Sequence, residues 1–222
     1  MITKFTIYGE RCSGTNYLEN IILANFDINV TWEYGWKHFF GFNNLSNSDD
    51  TLFICIVRDP YLWLNSLYKT PHHLSLSLIN NIDNFLSNEF FSFYGNIDGK
   101  IDESNEIIND RNIYTQKRYK NIFEMRYTKL KYMTEDLPSK VKNYMFIRYE
   151  DLLDDFENTI MRIKNCGLKL KENIIFPINI KTYKKENKLF IVDDQHPISI
   201  EKIYNNDDYD NVIEEMIGYK SV

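Results

Sequence analysis

Apolar residues along the chain form blocks with two different spacings. Continuous β-prone runs predict strands at residues 3–8, 28–32, 51–57 and 143–149. Apolar positions three and four residues apart predict helices at residues 15–26, 112–137, 151–166 and 207–217. Because strands and helices alternate, the pattern predicts an α/β fold with a central parallel sheet flanked by helices. Residues 72–110 are polar and indicate only helical pieces joined by loops. The charged tail is expected to be loop-like until the helix predicted at 207–217.

The run "TLFICIV" at residues 51–57 is apolar throughout, which is typical of a parallel strand buried on both faces. A helix is predicted directly after it. Asp59 is the expected N-cap, and Pro60 is expected at the first helical position.

Size and composition indicate one globular domain over residues 1–222, with 43% hydrophobic and 26% charged residues. The net charge of −6 argues against a general nucleic-acid binder, so an anionic ligand would need a local basic site. No apolar run is long enough to span a membrane, and Glu10 and Arg11 interrupt any signal-peptide pattern. Three widely spaced cysteines give neither a disulfide framework nor a zinc pattern. We expect a soluble, cytoplasmic protein that needs no metal.

The loop "GERCSG" at residues 9–14 has the glycine spacing of a P-loop. Thr15 stands where a nucleotide triphosphatase has its lysine, and Asn16 where it has a hydroxyl for magnesium. Free backbone N–H groups at the following helix N-terminus would still attract an anion. The departures favour an anion of lower local charge, such as a sulfonate linked to a phosphate. A tight turn capped by Ser13 is the alternative.

A second candidate anion site follows the strand at 51–57. Arg58 is at its carboxyl end, where open parallel sheets bind ligands, and Ser66 is two turns into the next helix. The guanidinium can bind a phosphate bidentately, and the hydroxyl can donate to the same group. A structural ion pair of Arg58 is the alternative.

Together these motifs resemble those of the sulfotransferases that use 3′-phosphoadenosine 5′-phosphosulfate (PAPS). Ser13-Gly14-Thr15 matches the family's SGT-like core, and Arg58 with Ser66 matches its 3′-phosphate motif. "FIRYEDLL" resembles its strand-to-helix segment, in which Tyr149 would lie near the adenine. The resemblance covers residues 4–165, is greatest to bacterial and viral carbohydrate-modifying enzymes, and implies a P-loop-like sulfotransferase fold.

The resemblance also implies a set of cofactor-binding residues for PAPS and its product PAP. They are Arg11, Cys12, Ser13, Gly14, Thr15, Asn16, Arg58, Ser66 and Tyr149. Cys12 stands where many members have a basic residue, so Arg11 is expected to supply the charge. The family's late Arg-Lys-Gly loop is missing in that form, and Lys184 and Lys185 are its candidate substitutes. A solvated charge run is the alternative for these two lysines.

The catalytic candidates come from "GWKHFF", where the family has a Lys and a His before its phosphate-binding Arg. His38 could accept the proton of the acceptor hydroxyl, and Lys37 could stabilise charge on the bridging oxygen. Glu33 is the competing base, and a half-buried core role is the alternative for His38. The resemblance implies sulfuryl transfer from PAPS to a small-molecule or carbohydrate hydroxyl. A non-catalytic adenine-nucleotide-binding protein and a degenerate P-loop kinase are the other possibilities.

Overall fold

The computed structural model describes residues 1–95, 101–175, 180–183, 186–189 and 195–220. The strands are β1 Lys4–Gly9, β2 Asn29–Val30, β3 Thr51–Val57, β4 Phe93–Gly95, β5 Ile101–Glu106, β6 Asn143–Arg148, β7 Ile180–Tyr183 and β8 Glu186–Leu189. The α-helices are α1 Thr15–Asn25, α2 Pro60–Lys69, α3 Leu76–Ile79, α4 Ile82–Ser87, α5 Ile122–Lys131, α6 Leu137–Lys140, α7 Tyr149–Asp154, α8 Phe156–Asn165, α9 Ile200–Tyr204 and α10 Asn211–Met216. A 3₁₀ turn covers Ile108–Asp110, and a π-helical turn at Tyr132–Asp136 joins α5 to α6.

The central sheet has four strands in the order β2-β1-β3-β6, and all of its pairs are parallel. Every residue of β3 is buried. Alternate β3 residues pack on opposite faces, one against α1 and α8 and the other against α5, α6 and α10. A central parallel sheet with helices on both faces confirms the predicted fold class.

Parallel pairing also brings the carboxyl ends of three strands to one edge. Gly9 at the end of β1 lies opposite Ile56, and Val57 at the end of β3 lies opposite Arg148. The loops that follow β1, β3 and β6 therefore begin side by side, which is where an open parallel sheet holds its ligand.

Several predicted boundaries differ from those in the structure. The helix predicted at 112–137 begins only at Ile122, because the Asn121 side chain accepts hydrogen bonds from Phe123 N at 3.1 Å and Glu124 N at 3.0 Å. The helix predicted at 151–166 is two helices, α7 and α8, divided at Asp155. The tail was expected to be loop-like before residue 207, and that expectation was wrong. β7 and β8 pair antiparallel there, and α9 follows.

A second hydrophobic core lies outside the sheet. It is built around Trp63, Phe85, Phe90 and Tyr119, which join α2 and α4 to α5 and α9. The polar tract 72–110 contributes α3, α4 and the antiparallel pair β4–β5 to this part of the fold. Within the described ranges, no helix is both long and apolar enough to cross a membrane.

Candidate functional site

The loop between β1 and α1 depends on its two glycines. A Cβ at Gly9 would lie 2.5 Å from Ile56 O, so only glycine allows β1 and β3 to approach this closely. Gly14 has φ +91°, and a Cβ there would lie 2.3 Å from the Tyr149 ring. Cys12, with φ 66°, also adopts the left-handed conformation, which is uncommon for a non-glycine residue.

The N-terminus of α1 presents backbone donors to the edge of the sheet. Ser13 does not cap it, because its hydroxyl donates to Glu10 O at 2.7 Å and its N–H donates to the same oxygen at 3.2 Å. No side chain among the described residues caps α1, and its first turn has no acidic residue. The first N–H groups of the helix, including those of Thr15 and Asn16, lack helical acceptors, so this end can bind an anion.

Arg58 lies beside this helix end. Its NH1 donates to Cys12 O at 3.2 Å, and its guanidinium lies over the Tyr149 ring at 5.1 Å. The side chain is buried, and its Nε has no hydrogen-bond partner among the described residues. A buried donor without an acceptor costs about 1–3 kcal/mol, so this arrangement favours a ligand that supplies one.

The turn after β3 is held as the sequence predicts, with Asp59 capping α2 and Pro60 at its first position. Asp59 Oδ1 accepts from Leu62 N at 2.9 Å. Ser66 is half-buried in the second turn of α2. No hydrogen bond joins Ser66 to Arg58 in the described part of the chain, so the structure places the two on one strand–helix unit without direct contact.

Lys37 reaches the start of α1 from the connection between β2 and β3. Its Nζ donates to Asn16 Oδ1 and lies 3.5 Å from a Glu19 carboxylate oxygen. The Trp32 and Trp36 rings lie 5.5 and 5.2 Å from the same atom. Burial lowers the pKa of Lys37, against the opposite effect of Glu19. The ammonium group therefore lies beside the helix end that has no P-loop lysine of its own.

His38 is oriented by the first loop. Its Nδ1 lies 2.8 Å from Gly9 O, and because a carbonyl oxygen only accepts, Nδ1 carries the proton. Nε2 is then the basic atom of the neutral ring. Burial lowers the pKa of His38 well below its ordinary value of 6.5, and the hydrogen bond to Gly9 opposes this only in part. The ring is therefore neutral at pH 7 and able to accept a proton.

Glu33 lies far from this edge. Its carboxylate is exposed and pairs with Lys4 Nζ at 3.0 Å. Lys4 begins β1 and Gly9 ends it, about 16 Å apart at the usual rise of a strand. The placement therefore favours His38 over Glu33 as the base.

The charged side chains that flank the loop point into the protein. Arg11 NH2 lies 3.1 Å from Asp110 Oδ2, and its NH1 donates to Ser92 Oγ at 2.8 Å and to His72 O at 2.9 Å. The Arg11 guanidinium is thus part of a buried ion pair and does not face the helix end, although a ligand-binding role was expected for it. Trp63 Nε1 donates to Arg11 O at 2.8 Å and holds the loop from behind.

Charged residues one turn apart on a helix, such as Arg126 and Lys129 of α5, usually lie on a solvated face. Both are buried. Arg126 NH1 donates to Glu10 Oε2 at 2.8 Å, and its NH2 donates to Glu214 Oε2 at 2.8 Å and to Arg58 O at 3.0 Å. Lys129 Nζ donates to Asp110 Oδ1 and, at 2.9 Å, to His38 O.

These residues form what we call the buried charge cluster, which lies directly behind the loop and the start of α2. Its members are Glu10, Arg11, Asp110, Arg126, Lys129 and Glu214. Sequence reasoning missed most of it because its ion pairs join residues that are distant in the chain, 116 positions apart in one case and 88 in another.

Glu10 should make the stability of the protein depend on pH. Burial raises the pKa of Glu10 to about 7, against the lowering effect of Arg126. A carboxyl that binds its proton more tightly when folded loses its contribution to stability as the pH rises from 4.5 towards 7. The Gln side chain of Glu10→Gln cannot ionise, so the variant does not lose this stability. Between pH 4.5 and pH 7, the free energy of unfolding of the variant minus that of the wild type should increase by up to about 3 kcal/mol, as measured by urea unfolding.

The effects of other titrating groups cancel when Glu10→Gln is compared with the wild type at each pH. Burial also lowers the pKa values of His38 and His73, which destabilises the fold at low pH in wild type and variant alike. A difference that stays constant with pH would mean that Glu10 is ionised throughout and contradict the prediction.

Three further predictions concern metal binding, the two lysines at 184 and 185, and the roles of the site residues. Among the described residues, no group of three or more His, Cys, Asp or Glu side chains is arranged to hold a metal ion. Lys184 and Lys185 lie outside the described residues. The predicted roles of all site residues in ligand binding stay predictions.

No protein-family model and no curated protein matches the chain. Similar solved structures include mouse sulfotransferase SULT7A1 complexed with PAP, at 14% sequence identity and a TM-score of 0.38. The match covers 77% of this chain and 61% of that one, so the chain spans less than two thirds of that protein's length.

Proposed function

We propose that the protein transfers a sulfuryl group from PAPS to an acceptor hydroxyl, with a carbohydrate as the acceptor class. The observation that carries the proposal is the buried Arg58 Nε without a partner in the described structure, next to the uncapped N-terminus of α1. The Arg58 guanidinium and the N-terminus of α1 can each bind an anion at the same edge of the sheet. This arrangement fits a nucleotide that has two separate anionic groups. The motif resemblance supplies the identity of that nucleotide.

Each end of the donor has matching residues. The N–H groups at Thr15 and Asn16 would hold the 5′-phosphosulfate, and the Arg58 guanidinium with Ser66 would hold the 3′-phosphate. Tyr149 packs against both Gly14 and Arg58, so it forms the wall between the two sites. Arg11 supports the loop from inside the buried charge cluster and does not itself contact the donor.

The chemistry uses one base and one cation. The acceptor oxygen forms a bond to sulfur while the bond from sulfur to the bridging phosphate oxygen breaks. The proton of the acceptor hydroxyl passes to His38 Nε2. Negative charge develops on the leaving phosphate, and Lys37 lies beside the start of α1 to stabilise it.

A second candidate is a nucleotide-binding protein without turnover. It is favoured by the internal pairing of Lys37, which contacts Asn16 and Glu19 and would have to change partners to reach a donor. Activity measurements on the wild type separate the two possibilities.

The proposal predicts stabilisation by adenosine 3′,5′-bisphosphate without a divalent ion. At 100 times its dissociation constant, the bisphosphate should stabilise the fold by about 2.7 kcal/mol, as measured by thermal shift. Arg58→Ala should lose the preference for the bisphosphate over adenosine 5′-phosphate, because the charge-assisted contact to the 3′-phosphate is removed. Stabilisation by Mg-ATP with no response to the bisphosphate would contradict the proposal and favour a kinase.

A further inference from the structure

The C-terminal segment, residues 211–219, contacts the back of the candidate site. Glu214 binds Arg126 of α5 through both carboxylate oxygens. Tyr219 OH donates to Glu150 Oε2 at 2.6 Å. Both side chains are buried, although they lie near the end of the chain and outside the region of motif resemblance.

The two partners of this segment bind the same peptide group. Arg126 NH2 donates to Arg58 O at 3.0 Å. Glu150 Oε1 accepts from Asp59 N at 3.0 Å. The carbonyl of Arg58 and the N–H of Asp59 belong to one planar peptide unit, so its orientation is fixed from both sides.

This peptide unit joins Arg58, which follows β3, to the start of α2, the helix that carries Ser66. A rotation of the plane would change ψ at Arg58 and φ at Asp59, and so would shift α2 and Ser66 relative to the Arg58 guanidinium, which contacts Cys12 O and the Tyr149 ring. Neither Arg126 nor Glu150 is held by the turn alone, because each is also bound by the C-terminal segment, through Glu214 and Tyr219 respectively.

We propose that Glu214 and Tyr219 are positioning residues for recognition of the nucleotide's 3′-phosphate. They act through Arg126 and Glu150 on the peptide unit that follows Arg58. The inference rests on the proposed function, because it assumes that Arg58 binds that phosphate.

Tyr219→Phe tests the inference, and Tyr209→Phe is its matched control. Both tyrosines are buried, but Tyr209 OH has no hydrogen-bond partner among the described residues, whereas Tyr219 OH binds Glu150. Tyr219→Phe should weaken binding of adenosine 3′,5′-bisphosphate about three- to tenfold, measured by calorimetry. Binding of adenosine 5′-phosphate, which has no 3′-phosphate, should stay within about twofold, and Tyr209→Phe should change neither.

The ratio of the affinity for adenosine 3′,5′-bisphosphate to that for adenosine 5′-phosphate distinguishes a positioning role of Tyr219 from a general loss of structure. Equal weakening for both nucleotides would overturn the inference, and so would unchanged binding of both. A wild type that binds neither nucleotide would instead contradict the proposed function. If Tyr219→Phe does not fold, Glu214→Gln supports the same comparison, since it keeps one acceptor for Arg126 and should also lower the ratio.

Discussion

His38→Asn should lower the rate of sulfuryl transfer by about 10²–10⁴-fold, or about 2.7–5.4 kcal/mol of transition-state stabilisation. Asparagine is the informative replacement, because its amide can donate to Gly9 O as His38 Nδ1 does at 2.8 Å, while it offers no basic nitrogen. Affinity for adenosine 3′,5′-bisphosphate should stay within a few-fold of wild type, because the base acts on the acceptor. The measurement is transfer of labelled sulfate from PAPS to a panel of sugars.

The pH profile of the wild type adds an independent check. Burial lowers the pKa of His38 well below 6.5, so the ring stays neutral as the pH falls through that value. The rate should therefore remain high at pH 6.5 and decline only when the pH reaches the lowered pKa. An active His38→Asn together with an inactive Glu33→Gln would contradict the assignment. If the wild type binds the bisphosphate but transfers no sulfate, the binding-protein alternative is favoured.

The elements that determine the sheet were predictable from the sequence because their burial is complete. Strand β3 was predicted at its observed bounds, since seven successive apolar or β-prone residues fit only a strand covered on both faces. The capping of α2 by Asp59 and Pro60 was confirmed for a similar reason, as both residues act locally. From these two features alone, the edge at which the site lies could be inferred.

The helix at 112–137 shows where the pattern fails. Its first ten positions are not α-helical, because Asn121 caps a helix that begins at Ile122. The side chains of Arg126 and Lys129 are buried, although charged residues on a helix are usually solvated. Only their distant carboxylate partners make this burial possible, and a single sequence does not show which distant residues meet.

The candidate site was predictable in its backbone and less so in its side chains. Gly9 and Gly14 have the close approaches that the loop motif requires. The side chain of Arg11, however, points into the protein and pairs with Asp110, which is 99 positions away in the chain. Position in a motif indicates where the backbone runs, whereas the direction of a side chain depends on the partner that the tertiary fold supplies.

Arg126→Met should lower the free energy of unfolding by about 3–5 kcal/mol, measured by urea unfolding at pH 8. The side chain is buried and is the shared partner of the carboxylates of Glu10 and Glu214. Methionine fills a similar volume but leaves both carboxylates buried without their cation. In the wild type, burial raises the pKa of Glu10 to about 7 against the lowering effect of Arg126. Without Arg126 the carboxyl binds its proton more tightly, so above pH 7 the variant keeps losing stability relative to wild type, and the loss should be smaller at pH 5.5 than at pH 8.

A triple variant distinguishes an unpaired charge from lost packing. Arg126→Met combined with Glu10→Gln and Glu214→Gln removes the cation and both anions, so none of these three charges is left without its partner. It should be more stable than Arg126→Met alone, since replacing all three members of a buried ion triad costs far less than removing only its cation. A triple variant no more stable than the single one would mean that the stacking of Arg126 on Trp63, at 4.7 Å, carries the stability instead. A single variant within about 1 kcal/mol of wild type would mean that water reaches the carboxylates and that the cluster does not hold the loop.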